Sequence, residues 1–101
     1  MTFRSRKLLA HARGKDCMVN LPGLCNHNSD TVVAAHSNWL EHGKGVAMKA
    51  ADCYVAWACS ECHREIDQGS LLSYDEKKHY WQRGFEKTLL AMYELGILKV
   101  K

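Results

Sequence analysis

Cys17-x7-Cys25 and Cys59-x2-Cys62 are the residue pairs of this chain whose types and spacing most directly imply chemistry. Zinc takes four tetrahedral ligands, and thiolates bind it at ~2.3 Å. Two short loops that each present two sulfurs can make such a cage. The CxxC half has the usual spacing. The wider half encloses Leu21-Pro22-Gly23-Leu24, and proline then glycine at the central positions favours a type II turn that returns the chain on itself. Four reduced, unliganded cysteines are the alternative. Cys53 is left over and is expected to be a small buried apolar residue.

Three other readings of the CxxC are weaker. Cys59-Ser60-Glu61-Cys62-His63 has the form of a c-type haem attachment site, but that leaves Cys17 and Cys25 unexplained. A thioredoxin-like pair needs a βαβ context, which is not evident here. A zinc deaminase carries H-x-E and then P-C-x-x-C; His36-Ser37-Asn38 lacks the glutamate and Ala58 replaces the proline.

The histidines come next. His36 ends an apolar, β-branched stretch. His63 and Asp67 lie four apart and share one face of a short helix. A strand–loop–strand–helix order is expected to set His36 opposite that face, beside a candidate metal pair. A histidine titrates near neutral pH and can pass a proton there. His11, His27, His42 and His79 belong to no such set and are expected at the surface.

These residues need elements to position them. Thr31–His36 predicts one strand and Tyr54–Ala58 a second, apolar throughout and so buried on both faces. Residues 37–51 form a long connection with room for one helical turn. Cys59–Asp67 turns from the second strand into a short helix, stopped at Gly69. A longer helix starts near Ser73, where Ser73 and Glu76 match a capping box. Trp81, Phe85, Leu89 and Met92 make its apolar face, and Gly96 stops it.

The 101 residues carry a net charge of +3. A chain of this length fits one domain, taken as 1–101, whose modest core calls for a staple. Arg4, Arg6, Lys7, Arg13 and Lys15 crowd a basic lead-in free of acids. A one-sign cluster of this kind suits a phosphate backbone. No apolar run reaches the ~18 residues of a membrane helix, and Leu8-Leu9-Ala10 is too short for a signal-peptide core. A cytoplasmic setting with reduced thiols, and no membrane partner, is expected.

At this point the residues carry a resemblance. The order strand-His36, glycine-bearing loop, apolar strand, then Ala58-Cys59-Ser60-Glu61-Cys62-His63 resembles the HNH (ββα-metal, His-Me finger) endonucleases. More narrowly, the chain is similar to the small YbcO-like nucleases of lambdoid phages and prophages. The shared features are Ala12-Arg13-Gly14 ahead of Cys17, Pro22-Gly23-x-Cys25, Ala35-His36 and Asp52 seven residues before Cys59. Cys62-His63-x-Glu65-Ile66-Asp67 and Gly96-Ile97-Leu98-Lys99 complete the set.

The resemblance implies an α+β fold: a small zinc-stapled ββα-metal core with a C-terminal helix. It implies a metal-dependent endonuclease acting on DNA, branched and single-stranded forms included, in phage or prophage recombination or replication inside a bacterial host. His36 is then the general base, and His63 with Asp67 holds one catalytic Mg²⁺, Mn²⁺ or Zn²⁺. Cys17, Cys25, Cys59 and Cys62 hold a structural zinc. Ala35 stands where many HNH enzymes carry a metal-binding acid. Asp52 takes the place of the motif's middle asparagine, with Asn38 the other candidate. The alternatives are a zinc-containing nucleic-acid-binding module without catalysis and a zinc adaptor that binds protein. Oligomeric state is not encoded in any of these features.

Overall fold

The computed structural model describes residues 3–101. Helix α1 (Arg6–Ala10) is followed by the Cys17–Cys25 loop, strand β1 (Val33–His36) and strand β2 (Val55–Ala58). Helices α2 (Ser60–Gln68) and α3 (Tyr74–Glu94) complete the chain. The result is a small α+β structure with a two-stranded sheet and a long C-terminal helix.

The strands pair antiparallel, Val33 opposite Ala58 and His36 opposite Val55. All four residues of β2 are buried, as an apolar run without alternation predicts. Strand β1 starts two residues later than Thr31. Asn28 caps a single 3₁₀ turn over Ser29–Thr31 by accepting from the Asp30 N–H. Thr31 Oγ1 donates to the Asn28 carbonyl and accepts from the Ser60 N–H. Its side chain therefore ties the start of α2 instead of extending the ladder.

Only one edge of β2 faces β1, so the other needs cover. Thr88 on α3 supplies it. Its hydroxyl accepts from the Trp57 N–H at 2.9 Å and donates to the Gly84 carbonyl at 2.7 Å. The Met18 N–H donates to the Trp57 carbonyl at 2.7 Å. A Cβ at Gly84 would lie 2.7 Å from Val19 Cγ2 and 3.1 Å from Val19 Cα, so glycine is what lets α3 approach. The buried stripe of α3 thus runs Trp81, Gly84, Thr88 and Met92. Leu89, expected on that face, is exposed. Trp81 and Met92 lie on the buried face as expected, while Thr88, whose hydroxyl meets the sheet edge, takes the place expected of Leu89.

Both ends of α3 follow the sequence. Ser73 and Glu76 make both hydrogen bonds of the capping box. At the other end Gly96 takes φ +75°, and the Gly96 and Ile97 N–H groups reach the Tyr93 and Met92 carbonyls. This is the pattern of a Schellman cap. The turn joining α2 to α3 is held by the buried Glu65, whose carboxylate accepts from the Leu71 and Leu72 N–H groups. No described helix is long and apolar enough to cross a membrane.

Cys53 departs from its expected place. It is exposed, because it sits in the turn before β2, ahead of the fully buried run.

Candidate functional site

The four sulfurs of Cys17, Cys25, Cys59 and Cys62 lie within 4.8 Å of one another. Among the described residues this is the one group of three or more candidate metal ligands gathered so closely. The Pro22-Gly23 turn does what its sequence predicts: Gly23 takes φ +73° and the Leu24 N–H reaches the Leu21 carbonyl at 3.1 Å. On the other side, Cys59 caps α2, its sulfur accepting from the Cys62 N–H at 3.5 Å.

The surroundings of the sulfurs fit a divalent cation. The Asn20 N–H points at Cys17 Sγ and the Leu21 N–H at Cys62 Sγ, each at 3.4 Å. Backbone donors of this kind stabilise thiolates. A hydrogen bond from Cys62 holds the Cys17 thiol down to about 4. Burial, with the neighbouring sulfurs, pushes Cys25 up to about 11. The bond to Cys17, together with burial, pushes Cys62 far up. Four thiolates at this spacing require a positive centre, and these residues could hold a metal ion such as zinc.

His36 stands at the end of β1, two residues along from Ala34, and the two share one face of the sheet. Its Nε2 is 2.8 Å from Asp52 Oδ1. Asp52 is 3% exposed and also accepts from the Ser5 N–H at 2.7 Å and from Arg4 Nη1 at 3.0 Å. Burial raises the carboxyl of Asp52, but the hydrogen bonds from His36, Ser5 and Arg4 outweigh it and hold it below the ordinary range. An ionised carboxylate only accepts. Nε2 of His36 is therefore the donor in that bond, and Nδ1 takes no part in it.

The arrangement carries a pH dependence of stability. A carboxyl with a depressed native value contributes fully above its unfolded value and loses that contribution as pH falls through the native one. Asp52→Asn should lower stability at neutral pH by about 1.5–3 kcal/mol, the range for a hydrogen bond to a charged group. It should also flatten the acid side of the stability profile. Urea melts of both proteins between acid and neutral pH check this, and parallel profiles would exclude it.

His63 and Asp67 form a second pair on α2, with Nε2 2.9 Å from Oδ2. Asn38 Nδ2 donates to the other carboxylate oxygen at 2.8 Å. The hydrogen bond to Asp67 raises His63 against the opposing effect of burial. Burial raises Asp67, but His63 and Asn38 bring it below its ordinary value. The pair lines an open depression of about 280 Å³ with Thr31, Val33, Ser60 and Arg64. Val33 and Ala35 share the sheet face opposite to that of His36. The structure thus gives two His–Asp pairs, His36–Asp52 at the end of β1 and His63–Asp67 on α2, and Asn38, two residues beyond His36, links the end of β1 to the second.

The basic lead-in divides. Arg6, Lys7 and Arg13 are exposed. Arg4 instead donates to the Lys49 and Ala50 carbonyls and to Asp52, so its guanidinium braces the His36 partner. The Lys15 ammonium lies 5.7 Å from the centre of the Trp57 ring. Arg4 carried no sequence signal for this role, because its partners are 45–48 positions away.

His42 also departs from the expected surface position. Its ring stacks on Tyr54 with centroids 4.4 Å apart, and Nδ1 is 2.6 Å from Ser37 Oγ. Ser37 is buried and accepts from the Trp39 N–H. These contacts fix both ends of the connection between the strands. His27 and His79 are exposed, and His11 is half-buried.

A family model described as "Putative nuclease YbcO" matches residues 6–97 of this chain. The chain belongs to that family. It is 38% identical over 89 residues to "Putative nuclease YbcO" of Escherichia coli strain K12, covering 87% of this chain and 92% of that protein. Its similarity to "Putative nuclease ybcO" of Enterobacteria phage 82 has the same extent. A solved structure described as "a putative bacteriophage protein from Escherichia coli str. K-12 substr. MG1655" superposes with TM-score 0.71 at 31% identity. That match covers 87% of this chain and 98% of the other. The YbcO family model thus spans the four cysteines, both His–Asp pairs and α3.

Proposed function

We propose that this chain is a metal-dependent endonuclease of HNH type that hydrolyses phosphodiester bonds in DNA. The names of its relatives support a nuclease in general. The observation that carries the finer reading is the His36–Asp52 pair, an imidazole at a strand end oriented by a buried, braced carboxylate.

In this reading Asp52 fixes the tautomer and direction of His36, and Nδ1 takes a proton from the attacking water. General-base action of this kind contributes ~10²–10⁴ in rate. His63 and Asp67 offer an imidazole nitrogen and a carboxylate oxygen to a divalent ion, held in place by Asn38. When bound, such an ion would supply charge stabilisation as negative charge builds on the phosphoryl and leaving oxygens. Zinc on the four cysteines ties the Cys17–Cys25 loop to the start of α2 and takes no part in the chemistry. Arg6, Lys7 and Arg13 contact phosphates.

Plasmid, branched and single-stranded DNA incubated with the purified chain and Mg²⁺, Mn²⁺ or Zn²⁺ test the reading. Cleavage of at least one substrate is expected; none with any metal would overturn it. Changing Arg6, Lys7 and Arg13 together to alanine should weaken binding to all sequences alike. It should also reduce the log–log salt slope by about 0.9 per lost phosphate contact on duplex DNA. An unchanged slope in filter-binding titrations would remove these residues from the interface.

One observation favours a second reading, a DNA-binding module without catalysis. Ala35 is buried and offers no ligand, so this chain's share of the metal shell is confined to His63 and Asp67. Specific DNA binding with no cleavage under all conditions above is the result that distinguishes it.

A further inference from the structure

The connection between the strands does more than join them. Gly45 and Met48 exchange two backbone hydrogen bonds of 3.1 Å, closing a two-residue tip at Val46-Ala47. Ala47 takes φ +57° to make that turn. Val46 is 101% exposed, Leu40 81% and Met48 50%. Single exposed apolar residues are ordinary, but here three share one loop. Lys44 and Lys49 flank the tip, and no acid lies between Glu41 and Asp52.

The stems of this projection are fixed. The Lys44 N–H reaches the Trp39 carbonyl and the Ala51 N–H the His42 carbonyl. One stem starts beside the His63–Asp67 pair, since Asn38 donates to Asp67 and the next residue, Trp39, receives the Lys44 N–H. The other carries the Lys49 and Ala50 carbonyls that receive Arg4, and Arg4 in turn contacts Asp52. The tip is therefore mounted between the two His–Asp pairs.

We propose that Val46 and Met48 form a wedge that enters an opened base step of the DNA substrate, with Lys44 and Lys49 on the phosphates either side. This rests on the reading of the chain as a DNA-directed nuclease and deepens it. An apolar tip between two cations matches what a base step offers: apolar base faces within and anionic phosphates without. Proteins that kink DNA insert apolar side chains in this way. The step must be unstacked to admit them, so the favoured substrate is DNA already loosened by a bulge, mismatch or junction.

The test uses the full chain carrying His36→Ala, so that DNA survives, and compares a bulged duplex with its perfectly paired parent. Both contain 2-aminopurine at the step concerned. The expected result is tighter binding of the bulged duplex by about tenfold, the size of one lost or gained stacking contact, with a rise in 2-aminopurine fluorescence. Val46→Ser with Met48→Ser should bring the preference near unity and abolish the fluorescence rise. Thermal stability and salt slope should stay unchanged, because Val46 is fully exposed. Preference and fluorescence that survive the double substitution would overturn the wedge and leave the nuclease reading standing. So would a double variant that loses only association with another protein. Failure of the unsubstituted tip to bind any DNA would overturn both.

Discussion

His36→Ala is expected to slow cleavage by ~10²–10⁴ in rate, while fold, metal content and DNA affinity stay as in the wild type. His36 lies outside the four-sulfur cluster, so its loss should not release zinc. In this reading Arg6, Lys7 and Arg13, and not His36, carry the phosphate contacts, so binding should persist. His63→Ala should be inactive for a different reason, the loss of one of two ligands to a catalytic ion. Raising the metal concentration should therefore partly restore His63→Ala and leave His36→Ala inactive. Single-turnover cleavage across a metal titration separates the two. Equal rates for wild type and His36→Ala, in material free of contaminating nuclease, would remove His36 from the mechanism.

Cys59→Ser should unfold the chain. Cys59 is fully buried, caps α2 and adjoins the three other sulfurs. In domains of this size the binding energy of a structural zinc, on the order of 10 kcal/mol, is largely folding energy. Elemental analysis should find about one tightly held zinc per wild-type chain. Circular dichroism of Cys59→Ser, or of wild type treated with a strong chelator, should show loss of the helices. A folded, zinc-free wild type would exclude the staple.

The cysteines were legible because their geometry is local. The CxxC caps a helix, and the Pro22-Gly23 turn closes the other loop within a few residues. The ends of α3 were legible for the same reason, through Ser73, Glu76 and Gly96. His36, Asp52, His63 and Asp67 could be picked out by position along the order strand, strand, helix. That order did not specify how they combine. It did not show that His36 would bond to Asp52 and His63 to Asp67. Arg4, His42 and Thr88 carried no readable signal. Each answers a need created elsewhere: a carboxylate to brace, a serine hydroxyl to engage, an unpaired Trp57 N–H to cover. Arg4 looked like one more phosphate-binding cation, since charge clustering in sequence cannot tell a solvated guanidinium from one turned inward.

The strap from Phe3 to Ser5 has a consequence in time. Its hydrogen bonds to residues 49–52 span 45–49 positions. Chains are made from the N-terminus at roughly 5–20 residues per second, so Arg4 leaves the ribosome seconds before Asp52. For the last 16 residues of that interval a growing chain contains His36 without the carboxylate it bonds to, and the sulfurs of Cys59 and Cys62 arrive later still. A truncated product lacks them just as a nascent one does, so a held His36 and a complete set of four sulfurs exist only once synthesis has passed the last of these partners.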